Sequence, residues 1–511
     1  MQVAEVNAKM CSYELSSLLP DLVLPASVAA TAIQSVTSDS RAAEPGSLFF
    51  AIPGINHNGQ SFIDAAVQAG AVAIICQDAQ VISGVSLSWR DDVPVLGVRD
   101  VLITMGKVAA LFYGDPSRAM TVTGVTGTNG KSTCVSLLAQ LQQLLGMKSA
   151  VIGTLGYGLA GEHLHNIGMT TPDAISCQKI LRTLADQQVQ TVAMEVSSHG
   201  LVQKRTVGVH ITTGVFTNVT RDHLDYHGDM HSYMQAKAQL FGIEGLQHAV
   251  INLDDEQTAS CMIAVVKPGA NLWTYSLHDA AAQVYARDIK LHPQGIDALV
   301  CTPWGSGQLK ASLLGEFNLY NLLAVLTAAC AQGANFHAAL ALIPELQPVK
   351  GRMQTLQVDA SVQVVIDYAH TPDALRQALC ALRSHSQRKI HVIFGCGGDR
   401  DSGKRPQMAA VAEANADHVI VTTDNPRTEA GSKIIDEICR GFSRDSRVDV
   451  IEDRAEAIRY AIEAAADGDL VLIAGKGHED YQIIGLERLP FDDEAEARLV
   501  LQERSHREAS L

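Results

Sequence analysis

The sequence predicts an α/β fold built from three domains. Three observations lead to this prediction: the length of 511 residues, a glycine-rich loop between an apolar run and an amphipathic segment, and repeated alternation of apolar runs with helical stretches. A single hydrophobic core rarely grows beyond about 250 to 300 residues, so a chain of this length divides into domains of roughly 150 residues. Alternating strands and helices are typical of parallel sheets covered by helices.

The N-terminal region, residues 1–105, is expected to form a small α/β domain. Short apolar runs alternate there with glycine and proline, which mark turns between strands. A helical stretch over residues 101–113 follows, and Asp115-Pro116 then leads into the next domain. The expected strands are residues 47–52, 71–76 and 95–98.

The central region, residues 106–346, is expected to bind a nucleoside triphosphate. The segment GTNGKS, residues 127–132, directly follows an apolar run. Its glycines allow successive backbone N–H groups to face phosphate oxygens, Lys131 adds a cation, and the Ser132 hydroxyl can bind Mg²⁺. The spacing departs from G-x-x-x-x-G-K-[ST], because Val125 stands where the first glycine would be. The order of strand, glycine loop and helix therefore carries this prediction, since G-K-S alone could be a structural turn.

Strand and helix alternate through the central region and again after a linker. Apolar residues at positions 135, 138, 141 and 145 recur at helical spacing, and Gly146 predicts the end of that helix. Pro344 and Pro348 mark the linker, so a second doubly wound domain is expected over residues 347–511. The expected strands of the two regions are residues 122–125, 191–196, 214–218, 249–253, 362–367, 389–394, 418–423 and 470–474.

The charge balance argues against a general binder of nucleic acid or of anionic membranes. The chain carries 39 Lys and Arg against 55 Asp and Glu, a formal net charge of −16, whereas such binders depend on a basic surface. The sequence contains no run of about 20 apolar residues and no basic leader followed by an apolar block. A cytoplasmic protein without membrane insertion is therefore expected.

The ten cysteines are scattered without a C-x-x-C pair or a metal-ligand spacing. Most are expected to be buried, reduced thiols. Cys396 lies in a glycine loop where it could be exposed, although a nucleophilic cysteine would need an activating base.

Two polar residues follow strands of the central region. In an open parallel sheet, ligands bind beyond the carboxyl ends of the strands. Glu195 follows the second central strand and His223 follows the third. A carboxylate and an imidazole beside a triphosphate suit Mg²⁺. The alternative is that both residues cap helices or lie on the surface, and spacing alone does not decide between the two.

Three strands of the last region also end in polar loops, GCGGDR, DNPR and GKGHED, at residues 395–400, 424–427 and 475–480. The first loop resembles a dinucleotide fingerprint, but Arg400 stands in place of the third glycine. A guanidinium fork binds carboxylates and phosphates. Three polar strand ends that converge on one crevice predict a substrate pocket.

Eight segments together resemble the Mur ligase family, and the resemblance covers nearly the whole chain. GTNGK[ST] alone is also found in folylpolyglutamate synthases. MEVSSHGL and RDHLDYHG narrow the resemblance to the branch that adds diaminopimelate or lysine, and DNPR indicates diaminopimelate. The segments are GTNGKS, MEVSSHGLVQKR, FTNVTRDHLDYHG, GEFNLYN, DYAHTPD, GCGGDRD, DNPR and AGKGHEDYQ.

This resemblance implies an ATP-dependent amide ligase of peptidoglycan precursor synthesis. It would add meso-diaminopimelate to UDP-N-acetylmuramoyl-L-alanyl-D-glutamate through an acyl phosphate. The implied domains are an N-terminal one for the uridine nucleotide, a central P-loop-type ATPase and a C-terminal Rossmann-like domain for the amino acid. Mg²⁺ is the implied cofactor, the three substrates are the implied partners, and a monomer is expected.

The resemblance also implies residue roles. Lys131, His223 and Lys237 would be catalytic, with Lys237 modified to a carbamate (N6-carboxylysine); an unmodified Lys237 would be merely a cation on a helix surface. Ser132 would bind one Mg²⁺, and Glu195 and His223 would bind a second. Met169 stands where family members often have asparagine.

The resemblance further implies three sets of binding residues. The implied ATP-binding residues are Gly127, Thr128, Asn129, Gly130, Lys131, Ser132, Asn318, Asn321, Arg352, Asp367 and His370. Those for the uridine substrate are Ser38, Ser40, Asn56, His57, Thr170, Thr171, Ser197, Gln203 and Arg205. Those for diaminopimelate are Arg400, Asp424, Asn425, Pro426, Arg427, Gly475 and Glu479.

Three other functions compete with this interpretation. A lysine-adding ligase differs only in the amino-acid pocket, where Arg427 discriminates. A nucleotide-driven switch on the same fold would need neither Glu195, His223 and Lys237 nor the arginines of the last region. A nicotinamide dehydrogenase is the weakest alternative, because the fingerprint is broken at Arg400.

Overall fold

The computed structural model describes residues 12–54, 58–356, 361–444 and 447–508. These residues form two compact units. The first comprises the described residues of 1–131, 146–251 and 255–272, and the second comprises those of 132–145, 252–254 and 273–511. Both units combine parallel strands with helices that lie between them in the sequence, which confirms the α/β class.

The N-terminal part of the first unit is built on a five-stranded sheet. The strands of that sheet are β3 (Ser35–Thr37), β4 (Ser47–Ala51), β5 (Ala71–Gln77), β6 (Ser86–Arg90) and β7 (Val93–Val98), and a separate two-stranded sheet consists of β1 (Tyr13–Glu14) and β2 (Ala32–Ile33). The helices of this part are α1 (Leu15–Leu18), α2 (Ala26–Ala29), α3 (Ile63–Gln68) and α4 (Val101–Phe112). The strand order is β3-β4-β5-β7-β6, in which β6 is antiparallel to β7. The three expected strands and the helix after them are confirmed, each within two residues at either end.

The remainder of the first unit carries a second, mostly parallel sheet. Its strands are β8 (Thr121–Thr126), β9 (Ser149–Gly153), β10 (Gly156–Leu159), β11 (Thr191–Glu195), β12 (Ile211–Phe216) and β13 (His248–Asn252). The helices of this stretch of sequence are α5 (Lys131–Leu144), α6 (Ala174–Asp186), α7 (Ser198–Val202), α8 (Leu224–His227), α9 (Met230–Ala238) and α10 (Glu256–Val265). The strand order is β10-β9-β11-β8-β12-β13. Glu195 pairs with Val125, and Phe216 pairs with Thr126. The carboxyl ends of three strands therefore align where the glycine loop begins.

The second unit starts with strands that the sequence did not predict. They are β14 (Asn271–Ser276), β15 (Val284–His292), β16 (Gly295–Thr302) and β17 (Gly305–Ala311), followed by α11 (Glu316–Ala331) and α12 (Phe336–Leu342). Strands β15, β16 and β17 form an antiparallel meander. Its connections are tight turns, so the strand–helix alternation expected for this stretch is wrong here.

The rest of the second unit is a doubly wound sheet. Its strands are β18 (Gln354–Thr355), β19 (Gln363–Asp367), β20 (Ile390–Phe394), β21 (His418–Val421), β22 (Val448–Val450) and β23 (Leu470–Ala474), with a separate hairpin of β24 (Tyr481–Ile484) and β25 (Glu487–Pro490). Its helices are α13 (Pro372–His385), α14 (Lys404–Asn415), α15 (Gly431–Cys439), α16 (Arg454–Ala464) and α17 (Asp493–Glu508). The order is β18-β19-β23-β20-β21-β22.

The apolar runs of this sheet are buried on both faces. Val392 and Leu472 lie in one core cluster, and their neighbours Ile393 and Ile473 lie in another. The sequence of such a strand is a continuous apolar run, which is why the four strands β19, β20, β21 and β23 were predicted from the sequence.

Among the helices of the described residues, none combines the length and the apolar character that a membrane span needs.

Candidate functional site

The glycine loop between β8 and α5 is fixed to the end of β12. The N–H of Thr128 donates to the Asn218 carbonyl oxygen at 2.8 Å, and the N–H of Asn129 donates to the Asn218 side-chain oxygen at 3.0 Å. A Cβ atom on Gly127 would lie 1.9 Å from the hydroxyl oxygen of Thr217. Only glycine fits this position, so the predicted turn depends on it.

Lys131 begins α5, and its ammonium group folds back over the loop. Nζ donates to the carbonyl oxygens of Gly127 at 3.0 Å and Thr128 at 2.8 Å. Ser132 follows as the second residue of the helix. A loop with this lysine and a helix start is the arrangement in which backbone N–H groups receive phosphate oxygens.

Lys237 on α9 is buried next to the same loop. Its side chain is fully enclosed, Nζ donates to the Gly127 carbonyl oxygen at 2.7 Å, and the ammonium lies 4.4 Å from the centroid of the Tyr233 ring. Burial, together with the charge of Lys131, lowers the pKa of Lys237 well below its usual value. The alternative of a helix-surface cation is therefore wrong.

Glu195 is a buried carboxylate with neutral partners. Oε1 accepts a hydrogen bond from the N–H of Thr154 at 2.9 Å, and Oε2 accepts one from the Thr154 hydroxyl at 3.2 Å. A Cβ atom on Gly153 would lie 2.3 Å from Oε1. Among the described residues, no lysine, arginine or histidine forms an ion pair with this carboxylate. A buried carboxylate without a cationic side chain is chemically suited to a metal cation.

His223 lies in a cluster of rings. Its backbone is left-handed, with a φ of +53°, and its ring centroid lies 4.9 Å from that of His199. Tyr226 stacks at 4.1 Å from His199, and the Nε2 of His227 lies 2.9 Å from the Ser198 hydroxyl. The sequence analysis missed His199 and His227, although both occur inside motifs that it singled out, SSHG and DYHG.

Residues predicted to bind the uridine substrate converge beside Glu195. Thr154 Oγ1 lies 3.0 Å from Thr170 Oγ1. The Thr171 hydroxyl donates to the Glu195 carbonyl oxygen at 2.9 Å and accepts a hydrogen bond from the N–H of Ser197 at 3.0 Å. Ser197 also caps α7. The two threonines and the serine thus belong to one hydrogen-bonded group.

Arg205 extends the same group. Its Nη1 donates to the Thr171 carbonyl oxygen at 2.7 Å, and its Nη2 donates to Gln203 Oε1 at 2.6 Å. The Gln203 amide in turn donates to the Tyr226 hydroxyl at 3.2 Å. The sulfur of Met169 lies 3.5 Å from Nη1 of Arg205. The unusual methionine therefore contacts the arginine of the expected substrate group.

The N-terminal candidates are only partly described. Ser38 and Ser40 lie just after β3, and Ser40 begins the short 3-10 helix Ser40–Ala42, which Asp39 caps. Asn56 and His57 lie outside the described residues.

In the second unit, Asn318 and Asn321 lie one turn apart on α11, and both are buried. The amide of Asn321 donates to Asn318 Oδ1 at 3.0 Å, and the amide of Asn318 donates to the Leu314 carbonyl oxygen at 2.7 Å. The Cys134 thiol on α5 lies 3.4 Å from Asn321 Oδ1. The predicted shared helix face is confirmed.

Three predicted nucleotide residues of the second unit gather at Tyr368. The guanidinium of Arg352 lies 4.9 Å from the Tyr368 ring centroid. Asp367 accepts a hydrogen bond from the N–H of Met353 at 2.7 Å, and His370 Nδ1 donates to the Tyr368 carbonyl oxygen at 2.8 Å. Removal from water raises the pKa of the Asp367 carboxyl and lowers the pKa of the His370 imidazole.

The two arginines predicted to bind the amino acid differ in their surroundings. Arg427 is partly buried, and its Nη1 donates to the Gly398 carbonyl oxygen at 2.8 Å. A Cβ atom on Gly398 would lie 1.9 Å from the Pro426 carbonyl oxygen, so the two loops touch. Arg400 is exposed, and its guanidinium forms no hydrogen bond or ion pair with any described residue.

Asn425, Lys476 and Glu479 form a polar junction between the DNPR and GKGHED loops. The Asn425 amide donates to Glu479 Oε2 at 2.8 Å, and Lys476 Nζ lies 3.3 Å from Asn425 Oδ1 and from Glu479 Oε2. A Cβ atom on Gly475 would lie 2.6 Å from an Asp424 carboxylate oxygen. The predicted convergence of these strand ends is confirmed. Lys476 was missed, since only its place among glycines marked it.

Arg405 joins the GCGGDR loop to the segment after DNPR. It is buried and pairs with Glu429 at 2.8 Å and Glu437 at 2.6 Å. Glu429 also accepts a hydrogen bond from the N–H of Asp399 at 2.7 Å. The bond from Arg405 holds the pKa of Glu429 at about 2. Arg405 could not be recognised from the sequence, because an arginine on a helix is usually solvated.

Cys396 is buried rather than exposed. Its thiol packs 3.6 Å from the sulfur of Met408, and burial raises its pKa to about 12. The exposure considered for this cysteine is wrong, and a thiol with so high a pKa is a poor nucleophile.

Most of the chain is similar to one family of enzymes. The model of the Mur ligase family, catalytic domain, matches residues 32–113, the Mur ligase middle domain matches residues 125–329, and the Mur ligase, glutamate ligase domain matches residues 351–477. Two curated relatives carry the name UDP-N-acetylmuramoyl-L-alanyl-D-glutamate--2,6-diaminopimelate ligase. The relative from Coxiella burnetii is 45% identical over 95% of this chain and 99% of its own length, and that from Pseudomonas aeruginosa is 46% identical over 93% and 96%.

A solved structure with the same enzyme name is similar in fold. It is 36% identical, with a TM-score of 0.74 over 97% of this chain and 100% of its own.

Proposed function

The chain belongs to the Mur ligase family, and we propose that it is the ATP-dependent ligase that adds meso-diaminopimelate to UDP-N-acetylmuramoyl-L-alanyl-D-glutamate. The observation that carries this proposal is the full-length similarity to relatives that bear that name. The reaction belongs to peptidoglycan precursor synthesis. The predicted site residues acquire consistent roles in it, as follows.

Phosphoryl transfer is assigned to the glycine loop of the first unit. The side-chain carboxylate of the D-glutamate attacks the γ-phosphorus of ATP, which gives an acyl phosphate and ADP. Lys131, held at the loop by Gly127 and Thr128, would stabilise the charge that develops on the transferred group. The amine of the incoming amino acid then attacks the acyl carbon, phosphate leaves, and the nitrogen loses its extra proton to form the amide.

Mg²⁺ is the proposed cofactor, and Glu195 is the residue whose surroundings best fit it. Within the described part of the chain, the hydrogen-bond donors to its buried carboxylate are neutral. His223 is the further proposed ligand of this Mg²⁺, and Ser132 is proposed to bind a separate Mg²⁺ at the glycine loop. Mg²⁺ commonly takes one or two protein ligands and completes its shell with water and phosphate oxygens. No group of three or more His, Cys, Asp or Glu side chains within the described ranges could hold a metal. Mg²⁺ would supply neutralisation of the phosphate charge.

Lys237 is proposed to act as a carbamate. A carbamate forms when an unprotonated amine attacks CO₂ and the nitrogen releases a proton, and burial favours the unprotonated amine by lowering the pKa of Lys237. The carbamate oxygens would carry negative charge close to Gly127 and Lys131, where the amine now lies. The carbamate would then be negatively charged, as the Glu195 carboxylate is, and would suit a metal cation in the same way.

The amino acid is assigned to the loops of the second unit. Meso-diaminopimelate differs from lysine in a second carboxylate at its far end, which suits the guanidinium of Arg427 or Arg400. Glu479 lies at the adjoining strand end and would complement the ammonium of the same distal centre. The group of Thr171, Ser197 and Arg205 is assigned to the uridine substrate. The protein is proposed to be cytoplasmic, since its nucleotide substrates belong to that compartment. It is also proposed to be a monomer.

The proposal is tested by the dependence of ADP release on each substrate. We expect ADP to form only when ATP, Mg²⁺, the UDP-muramoyl dipeptide and meso-diaminopimelate are all present, with a product mass that corresponds to the amide. ADP release of equal rate without the dipeptide would contradict a ligase and favour a nucleotide-driven switch.

A further inference from the structure

The hairpin of β24 and β25 lies directly against the DNPR loop. The N–H of Arg427 donates to the Ile483 carbonyl oxygen at 3.0 Å, and the N–H of Gly485 donates to the Arg427 carbonyl oxygen at 2.8 Å. Both backbone polar groups of Arg427 are therefore bound by strand β24 and its turn. The N–H of Ile483 in addition donates to Asn425 Oδ1 at 2.9 Å.

These hydrogen bonds hold Arg427 in a strained conformation. Its φ is +52°, in the left-handed region where residues other than glycine are disfavoured. Such a conformation persists only when surrounding contacts determine it. The orientation of the Arg427 side chain depends on this backbone conformation, because the direction of the Cα–Cβ bond changes with φ.

The side chain of Gln482 also binds the hairpin to the DNPR loop. Its amide Nε2 donates to the Asp424 carbonyl oxygen at 2.7 Å and lies 3.3 Å from the Thr423 hydroxyl oxygen. Gln482 thus fixes the loop just before Arg427, while the Ile483 and Gly485 backbone fixes Arg427 itself. The hairpin is braced in turn by Arg488, whose guanidinium lies 3.6 Å from the Tyr481 ring centroid.

We propose that the β24–β25 hairpin determines amino-acid specificity, with Gln482 as a positioning residue that holds the DNPR loop so that Arg427 meets the distal carboxylate of the substrate. This inference rests on the proposed function, in which Arg427 binds that carboxylate. Hydrogen bonds join the Gln482 side chain to Thr423 and Asp424. Loss of its hydrogen bond would let the loop leave the strained conformation and would weaken the arginine–carboxylate contact without touching phosphoryl transfer.

The test is Gln482→Met, which keeps the length of the side chain and removes the amide donor. Gln363→Met is the matched control, because Gln363 also donates from its amide to a backbone carbonyl oxygen, that of Pro293 at 3.3 Å, in the same unit. For each variant, kcat and KM are measured for meso-diaminopimelate, L-lysine, ATP and the UDP-dipeptide. Thermal unfolding checks that the variants are folded, and Gln482→Asn replaces Gln482→Met if the latter does not fold.

For Gln482→Met we expect the KM for meso-diaminopimelate to rise about tenfold, the scale of one lost hydrogen bond. The kcat value and the KM for ATP should stay within about twofold of wild type, and the preference over L-lysine should fall by the same factor as KM rises. Gln363→Met should leave all constants unchanged. An unchanged KM for meso-diaminopimelate, or an equal rise in the KM for ATP, would overturn the role of Gln482.

Arg427→Ala separates this inference from the proposed function. If Arg427→Ala raises the KM for meso-diaminopimelate while Gln482→Met does not, the hairpin proposal fails and the function stands. If neither variant changes it, the assignment of Arg427 to the substrate fails, and the hairpin proposal fails with it.

Discussion

Around the phosphate loop, the two lysines of the first unit meet backbone carbonyl oxygens, whereas around the amino-acid loops the buried cations of the second unit meet carboxylates. Lys131 and Lys237 both donate to the Gly127 carbonyl oxygen. In the second unit, Arg405 pairs with two glutamates. Arg454 is likewise enclosed and forms two hydrogen bonds of 2.7 Å with Asp493.

This difference distinguishes the lysines proposed to act in the reaction from the ion pairs that stabilise the fold. Carbonyl oxygens compensate the charge of Lys131 only partly, so this lysine can stabilise an anionic group at the loop. Buried ion pairs are balanced, and removal of one partner leaves a charge that destabilises the fold. Substitutions at the phosphate loop should therefore change turnover, while substitutions at the amino-acid loops should change selectivity or stability.

The largest expected effect is that of Lys131→Ala. We expect kcat to fall about a thousandfold or more, because the cation acts on charge that develops in the transition state. The melting temperature should change little, because the hydrogen bonds from Lys131 to the Gly127 and Thr128 carbonyl oxygens join it to its own loop and not to a distant element. Steady-state ADP release and thermal unfolding check this prediction, and turnover within about tenfold of wild type would contradict the loop's assigned role.

Lys237→Ala is expected to be nearly as damaging, since it removes both the buried amine and the carbamate that it is proposed to form. We expect kcat to fall by about a hundredfold to a thousandfold. The carbamate itself is tested on the wild-type protein, by measuring its intact mass and its activity on the same sample. An intact mass without a carbamate, measured on a fully active sample, would refute the modification.

Arg427→Ala should act on the amino acid alone. Truncation of one partner of a charged, hydrogen-bonded pair costs roughly 2 to 5 kcal/mol, which corresponds to about 30-fold to several thousandfold in discrimination. We expect the loss chiefly in the KM for meso-diaminopimelate, with ATP turnover nearly retained. A loss of kcat without a change in this KM would show that Arg427 acts in the reaction itself and not in binding of the amino acid. The proposed difference between the two regions would then be wrong.

The smallest expected effect concerns His385, a neutral ring in the scaffold of the second unit. Its Nε2 accepts a hydrogen bond from the N–H of Gly315, and its Nδ1 donates to the His292 carbonyl oxygen, both at 2.7 Å. Burial lowers the pKa of His385, because removal from water disfavours the charged imidazolium.

A pH series tests this arrangement. Below the unfolded-state pKa of about 6.5, the unfolded chain binds a proton that the folded chain excludes, so the stability from His385 is complete above that pH and declines as pH falls. The melting temperature of His385→Gln should be a few degrees below wild type at pH 8. This gap should narrow at pH 5.5. A constant gap would show that the protonation of His385 does not differ between the folded and unfolded states.

The sequence predicted those parts of the molecule whose pattern is local. The strands that end at Glu195, Phe394 and Ala474 are continuous apolar runs, and the glycine loop needs glycine for close backbone contact, so both could be recognised from neighbouring residues. The resemblance to a family added site residues far apart in sequence, and the structure brings many of them together, among them Thr171 with Arg205.

What the sequence could not predict depends on contacts between distant segments. Strands β15 and β17 of the meander are partly exposed and interrupted by polar residues. Arg405 and Lys476 look like surface cations, and only the fold shows that Glu429 and Glu479 enclose them. Likewise, the burial of Lys237 results from packing against Gly127, over a hundred residues away in sequence.

The most direct test of the division between the two regions is the ratio of kcat/KM for meso-diaminopimelate to that for L-lysine, measured in the wild type and in Arg427→Ala. We expect a strong preference for meso-diaminopimelate in the wild type, at least about 30-fold, and its near loss in Arg427→Ala while ADP release at saturating amino acid persists. Equal kcat/KM values for the two amino acids in the wild type would contradict the account, because Arg427 would then not face the substrate.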